Sequence, residues 1–476
     1  MSEIEIVNPV PLEDAAAWFA TMASTLLRDP SSERYLDRLV AERRHWDGER
    51  CWAARDGDRI VGTLASLPLR LTVPGGEAPG GAAPGSELGG EVAGDEPGGG
   101  ELPVDGITQV AVAATHRRRG VMRELMAHAA RAAIERGDPV SALFAAEWPI
   151  YGRFGYAPAT QEARYTLWPR RAGPVFGDDP GAVRQVSAEE LGEFGPAVFA
   201  AARRRWAGNI DRPEPWWEST LGLRGQPADR EPGEPAPTHV AHIGPDGPDG
   251  FAWWAPTRHY DLDGTLAEVV VGDLQAATDE AYRALWRYLA GIDLVGRIEF
   301  ARRPVDEPAR WLLADGRALR QSYAGDALWL RLLDVPAALT ARRYACAGRL
   351  VVEVVDDCAD GASGERGGAA GGGPAGPAAR RGPGAAPGSA SELGPGPAAG
   401  RYLLDGGPDG ASCVRAPART PDLRLDQRAL AAAYLGGFSL RQQRVAGRIE
   451  EQTSGAVRTF DAMLATDQAP WCATMF

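Results

Sequence analysis

Between residues 107 and 146 the chain spells out a strand, a basic turn, a helix and a second strand, which leaves few topologies open. Residues 107–112 alternate and are apolar enough for a strand. His116-Arg-Arg-Arg-Gly120 follows, and then apolar side chains recur at Met122, Leu125, Met126, Ala129 and Ala133, the spacing of one helix face. Gly137-Asp138-Pro139 closes that helix with a C-cap glycine and a proline that cannot continue it, and residues 140–146 supply the next strand. Such a unit is parallel and right-handed. At the helix start the N–H groups of Arg119, Gly120 and Val121 lie at the positive end of the helix dipole, where a diphosphate is stabilised. Arg117, Arg118 and Arg119 add guanidinium groups that hold phosphate oxygens in pairs. On spacing alone the same residues describe a solvated basic loop equally well.

Next comes Ile150-Tyr-Gly-Arg-Phe-Gly-Tyr156, in which Tyr151 and Tyr156 read, by themselves, as aromatic core in a glycine-rich turn. Taken together, the loop and the turn resemble the GNAT acetyltransferase superfamily, whose Arg/Gln-x-x-Gly-x-Gly/Ala loop cradles coenzyme A. Met122 stands where that pattern has Gly or Ala. This departure, with Leu69-Arg-Leu-Thr-Val-Pro-Gly75 upstream, the stretch from Asp326 to Leu339 downstream and Tyr434-Leu-Gly436 near the end, is similar to one branch, the Eis (enhanced intracellular survival) family of actinobacterial N-acetyltransferases. The matching segments cover most of the chain in the same order.

At 476 residues the chain is long for one core, and 44% hydrophobic residues suffice for several. The resemblance implies an α+β protein: tandem GNAT-like domains at 1–169 and 170–321, then a sterol-carrier-like α+β domain at 322–476. Two low-complexity runs, 74–103 and 359–400, are too poor in apolar residues to offset their ordering entropy and are expected to be disordered. Each lies between strand-like segments and reads as a swollen loop within one sheet. Within the second unit, residues 251–254 and 267–271 look like strands and 278–289 like a helix. Gly272-Asp273-Leu274 then puts an acid where the first unit has three arginines, so this unit is expected to lack a coenzyme A loop.

A formal charge of −13 disfavours nucleic acid and favours a cationic substrate. The acidic N-terminus and the absence of an apolar run near ~18 residues point to a cytoplasmic chain without a membrane span. Five scattered cysteines suggest neither disulfides nor zinc, and His239 and His242 read as a partly buried pair on a strand, so no metal is expected.

Acetyl transfer from a thioester requires a neutral amine, a stabilised oxyanion and a proton for the departing thiolate. The resemblance implies acetyl-CoA as co-substrate, its diphosphate held by Arg117, Arg118, Arg119, Gly120, Val121 and Met122. The pantetheine arm would add as a strand beside Val110, Ala111 and Val112. Tyr151 would be the general acid; a phenol near pKa ~10 can protonate a thiolate whose acid form sits near ~8.5. The α-carboxylate of Phe476 would be the base. With a pKa of ~3.5 against ~10 for the amine, direct deprotonation is uphill by roughly 9 kcal/mol, so orienting the amine or a water suits it better. Trp471 could anchor this tail, although a frayed terminus is the ordinary alternative. Asp29, Glu147 and Trp148 are candidates for an acidic, aromatic mouth, each otherwise an ordinary surface or core residue. The resemblance further implies a homohexamer acting on aminoglycosides or lysine side chains. A non-catalytic binder of coenzyme A or of an apolar ligand is the rival class, disfavoured by the joint presence of Arg117, Gly120, Tyr151 and Phe476.

Overall fold

A computed structural model describes residues 4–28, 47–75, 100–177, 181–223, 236–261, 263–356 and 396–476. Asp29 and most of both low-complexity runs, 76–99 and 357–395, lie outside the described residues, so their expected roles and disorder are not addressed by the fold.

The first sheet begins with β1 (Glu5–Val7), β2 (Cys51–Asp56), β3 (Arg59–Thr72), β4 (Glu101–Val112), β5 (Val140–Phe144) and β6 (Ala157–Pro158). Helix α1 (Ala15–Thr25) covers one face through Trp18, Phe19 and Met22, with the Trp18 indole donating to the Trp52 carbonyl at 2.9 Å. Helix α2 (Val121–Arg136) covers the other, starting at Gly120 (φ +83) and stopping at Gly137 (φ +81). Its buried face is Val121, Leu125, Met126, Ala129 and Ala133. Met122, expected on that face, is only half-buried, and Val121 takes the buried place in the first turn. Each large aliphatic side chain so buried contributes about 1.5–3 kcal/mol.

β3 runs unbroken from Arg59 to Thr72, since Pro68 fits opposite Asp105 without breaking the ladder. β3 and β4 are antiparallel neighbours whose register closes at Thr72↔Glu101. The first low-complexity run therefore connects adjacent strands, and its last expected residues, 101–103, already belong to β4.

The second sheet holds β7 (Gln161–Leu167), β8 (Ala182–Val186), β9 (Thr238–Gly244), β10 (Gly247–Arg258), β11 (Ala267–Ala276), β12 (Val295–Arg303) and β13 (Leu319–Asp326), in the order β13-β7-β12-β11-β10-β9-β8. At Ala327 the chain crosses back, and β14 (Leu328–Leu332) inserts between β5 and β6, so the first sheet runs β1-β2-β3-β4-β5-β14-β6. The expected cuts at 169 and 321 are thus bridged by strands: β7 precedes the first cut yet belongs to the second sheet, and β14 follows the second cut yet completes the first. Gly272-Asp273-Leu274 also differs from expectation. It lies inside β11, not after it, and only Ala277 and Thr278 separate that strand from α3 (Asp279–Ala290).

The third sheet, order β17-β16-β15-β18-β19, comprises β15 (Gly348–Val355), β16 (Gly400–Gly407), β17 (Gly410–Arg415), β18 (Leu423–Asp426) and β19 (Ile449–Glu451). β15 and β16 pair out to Val354↔Gly400, so the second low-complexity run also joins neighbouring strands. Its final residues are folded: Ala398 is fully buried and its N–H donates to the Asp356 carboxylate at 3.3 Å. This region shares one core with the first sheet, in which Val104, Val140 and Leu330 pack with Tyr402, Leu430 and Phe460. Among the described residues no helix is long and apolar enough to cross a membrane.

Candidate active site

β4 and β5 pair in parallel over three positions only, Val104↔Val140, Asp105↔Ser141 and Gly106↔Ala142, and then separate. Just past the separation β4 carries a bulge. Thr63 opposes Ala111 and Ala65 opposes Thr108, so Gln109 and Val110 together face Leu64. Gln109 takes the left-handed conformation (φ 53), and its carbonyl accepts the Thr63 hydroxyl at 2.8 Å. The side chains of Val110 and Val112 lean toward the α2 layer, and Ala111 is buried with Trp18 and Phe19. Beyond Gly106, therefore, β4 offers a strand edge that β5 does not use, able to accept an extended arm as an added strand.

The basic loop at the end of β4 divides its three arginines. His116 is buried, with Nε2 2.9 Å from the Asp56 carboxylate and Nδ1 2.8 Å from the Thr115 hydroxyl. Arg119 reaches the same Asp56 carboxylate at 3.3 Å, which ties it to the scaffold. Arg117 and Arg118 are exposed, and Arg118 itself adopts φ 63. Gly120 follows at the α2 N-terminus, where the nearest atom to an added Cβ would be an Arg123 guanidinium nitrogen at 3.5 Å. Open backbone, a helix N-terminus and two exposed guanidinium groups suit a diphosphate.

After β5 the chain makes a short helix, Trp148–Tyr151, and a 3₁₀ turn, Gly152–Phe154, ending at Gly155 (φ +83). A Cβ at Gly155 would lie 2.6 Å from the Gln427 Oε1, so this turn needs glycine for space as well as conformation. Tyr151 and Tyr156 stand edge to face, centroids 6.3 Å apart. Their hydroxyls differ. That of Tyr156 is shared with the Ser141 hydroxyl at 2.7 Å inside the core, and burial pushes its pKa up. That of Tyr151 makes no hydrogen bond among the described residues, and burial pushes it up to about 12.

The end of the chain lies at this fork. The Phe476 ring packs edge-on against Phe144, centroids 5.4 Å apart, and a Cβ at Gly106 would sit 3.0 Å from its Cε2. The tail is not frayed, since Trp471, Cys472 and Thr474 are all buried. Trp148 is 62% exposed and edge-on to Trp329 at 5.0 Å, whose indole donates to the Asp326 carboxylate at 2.6 Å. Glu147 is exposed at the start of the same short helix. Asp326 and Glu162 are acids near this rim that sequence reasoning did not single out. Burial pushes the Glu162 carboxyl up, against the pull of Arg302 at 3.4 Å, and Arg302 also reaches the Met475 sulfur at 3.4 Å. The only available signal for Asp326 was its place at the head of the segment running to Leu339.

The corresponding place in the second unit is built differently. Thr278 caps α3 itself, accepting the Ala281 N–H at 3.1 Å and donating to Asp249 at 2.7 Å. A cavity of about 310 Å³ beside it is lined by Tyr282, Trp311 and, from the chain's own tail, Trp471. His242 lies in the same unit with its Nδ1 2.5 Å from Asp249. Among the described residues no three His, Cys, Asp or Glu side chains come together as metal ligands.

Residues 96–159 and 208–332 each match a family model described as an acetyltransferase (GNAT) domain, and residues 335–473 match one described as a sterol carrier protein domain. An uncharacterized N-acetyltransferase of Streptomyces avermitilis is 34% identical over 479 residues, covering 99% of this chain and 98% of that one. N-acetyltransferase Eis of Mycobacterium tuberculosis is 32% identical over 429 residues, with 87% and 85% covered. The crystal structure of Eis1 from Mycobacterium abscessus matches the whole of both chains at a TM-score of 0.75 and 28% identity. Fold, fork and comparisons together define an N-acetyltransferase of the GNAT class, an enzyme that uses acetyl-CoA. Within that class the chain belongs to the Eis family. Membership sets aside the non-catalytic alternative.

Proposed function

We propose that the chain acetylates amines of cationic substrates, aminoglycoside-like polyamines or lysine side chains, by direct transfer from acetyl-CoA in the first unit. The observation that carries this reading is the meeting of three elements at one fork: the unused edge of β4, the turn bearing Tyr151 and the ring of Phe476. Arg117, Arg118 and the N–H groups around Gly120 and Val121 hold the diphosphate, Arg119 keeps the loop in shape, and Met122 flanks the helix start. The backbone of Val110, Ala111 and Val112 aligns the pantetheine arm and directs N–H groups at the thioester oxygen.

The Phe476 α-carboxylate orients the acceptor amine or a water that takes its proton. The amine nitrogen attacks the carbonyl carbon, the C–S bond breaks, and the Tyr151 hydroxyl delivers its proton to the departing thiolate sulfur. A phenol raised to about 12 remains protonated across the working pH range, and transfer of its proton to a thiolate whose acid form sits near ~8.5 is uphill by roughly 5 kcal/mol, so the proton moves only as the C–S bond breaks. Trp148 and Glu147 form the mouth that selects cations. The homohexamer is carried by the same resemblance, and light scattering on the purified chain reads it.

The test is release of coenzyme A thiol from acetyl-CoA with aminoglycosides, polyamines and lysine peptides, comparing the native chain, Tyr151→Phe and a chain extended beyond Phe476. Loss of turnover in both variants is expected; full turnover in either removes that group from the mechanism.

A further inference from the structure

Residues from the second sheet and its flanking segments hold the last eight residues of the chain along their length. The Ala469 N–H donates to the Asp306 carboxylate at 2.7 Å, and the Trp471 N–H donates to the Ala207 carbonyl at 2.9 Å. The Trp471 indole lies edge-on to Trp206, centroids 5.6 Å apart, and the Arg303 guanidinium sits 5.0 Å from its ring. The Ala473 N–H donates to Asn209 Oδ1 at 2.7 Å.

Arg212 is the centre of this grip. Its Nε donates to the Thr474 hydroxyl at 3.0 Å, one Nη donates to the Ala473 carbonyl at 3.4 Å, and the other meets the Asp273 carboxylate at 2.6 Å. The guanidinium lies 3.8 Å from the Phe199 ring centroid and 4.2 Å from that of Trp216. A guanidinium buried this deeply is tolerated only when paired and fully hydrogen-bonded, and here two of its nitrogens are spent on a tail that would ordinarily fray. Asp273 is aimed at it by a bulge in β11: Trp253 opposes Asp273 and Trp254 opposes Val271, leaving Gly272 as the extra residue. The first unit uses a strand bulge to leave an edge of β4 open; in the second, the bulge of β11 places an acid against this arginine.

We propose that the second unit is a brace for the chain terminus and that Arg212 is a positioning residue for acetyl transfer, supported by Asp273 and Asn209. The catalytic half of this inference rests on the role proposed above for Phe476. Two residues of extended chain span at most ~7 Å, so fixing Thr474 confines Phe476 to the neighbourhood of the fork.

The test uses the full-length chain and two readouts, release of Phe476 by carboxypeptidase A followed by mass spectrometry, and kcat with KM for acetyl-CoA. In Arg212→Ala, release accelerates by about tenfold or more and kcat falls by about tenfold to a hundredfold, while KM for acetyl-CoA stays within about twofold. Thr474→Val, which removes only the hydroxyl that Arg212 holds, shifts both readouts in the same direction to a smaller extent, and decides the matter alone if Arg212→Ala does not fold. Unchanged release in the folded variants overturns the brace, whatever happens to kcat. Accelerated release with kcat intact keeps the brace and overturns the catalytic role of Phe476 instead.

Discussion

Phe476 meets Phe144 edge to face, ring centroids 5.4 Å apart and planes inclined at 71°. Phe144 is the last residue of β5, and the same segment leads on to the turn that bears Tyr151. One aromatic contact therefore links the end of the chain to the strand that presents the proposed acid. The contact closes over Gly106, where β4 has its last partner on β5.

Gly106→Ala tests that closure. The new methyl would lie 2.6 Å from Leu69 Cδ1 and 3.0 Å from Phe476 Cε2, and the terminal ring is the neighbour better able to yield. The expected outcome is a loss of about 1–3 kcal/mol in urea unfolding, typical of overpacking. Steady-state kinetics should show kcat reduced about tenfold or more.

The three loop arginines should separate by calorimetric titration with coenzyme A. Arg117→Ala and Arg118→Ala each weaken binding by about tenfold, the value of a charge-assisted hydrogen bond of roughly 1.5 kcal/mol. Arg119, engaged with Asp56, is expected to matter less for affinity. Equal losses at all three positions would contradict the division of labour seen in the loop.

Tyr151 has a pH signature. Its hydroxyl is raised to about 12, above the ordinary phenol value of 10.0, so it stays protonated in the folded chain after an exposed tyrosine has ionised. The sign follows: this group's contribution to stability is fully present below pH ~10 and is lost as pH rises through its folded pKa. The rate with a polyamine should therefore climb as the acceptor loses its proton, with no fall below pH ~10 that depends on Tyr151. Ionisation of the Tyr151 hydroxyl below pH ~10, read as the ultraviolet titration difference between the native chain and Tyr151→Phe, would refute the raised value.

Trp148 is 62% exposed, so its removal should leave the melting temperature nearly unchanged. Trp148→Ala is expected to raise KM for a polycationic amine by several-fold, the worth of a cation–π contact of about 1 kcal/mol, with KM for acetyl-CoA unaffected. Parallel changes in both Michaelis constants would place Trp148 on the coenzyme side instead.

The loop from His116 to Gly120 and the helix behind it were legible because their signals are local: a switch of hydrophobic period, a glycine at each end and a cluster of one charge. Thr278 was placed at a helix start for the same reason, and it accepts a capping N–H group there. What stayed hidden depends on pairing across the chain. β14 is a short apolar run, and nothing in its residues says that it joins β5 and not the sheet formed by its own C-terminal neighbours. Arg212 and Asn209 belong to no motif, and their partners lie 262 and 264 residues away. Asp273 was noticed, but as a repellent for phosphate; its engagement with Arg212 required the bulge at Gly272 to be seen.

The placement of β14 has a consequence for how the protein comes into being. Synthesis runs from the N-terminus, and domains fold as they emerge. The first sheet leaves the ribosome with the outer flank of β5 bare, because the strand that covers it is translated only after the whole second unit. An uncovered strand flank invites wrong partners, so the nascent enzyme passes through an interval in which it is exposed to misassembly. On the proposed chemistry it is also inert throughout that interval, since its final residue is the last part of the active site to be made.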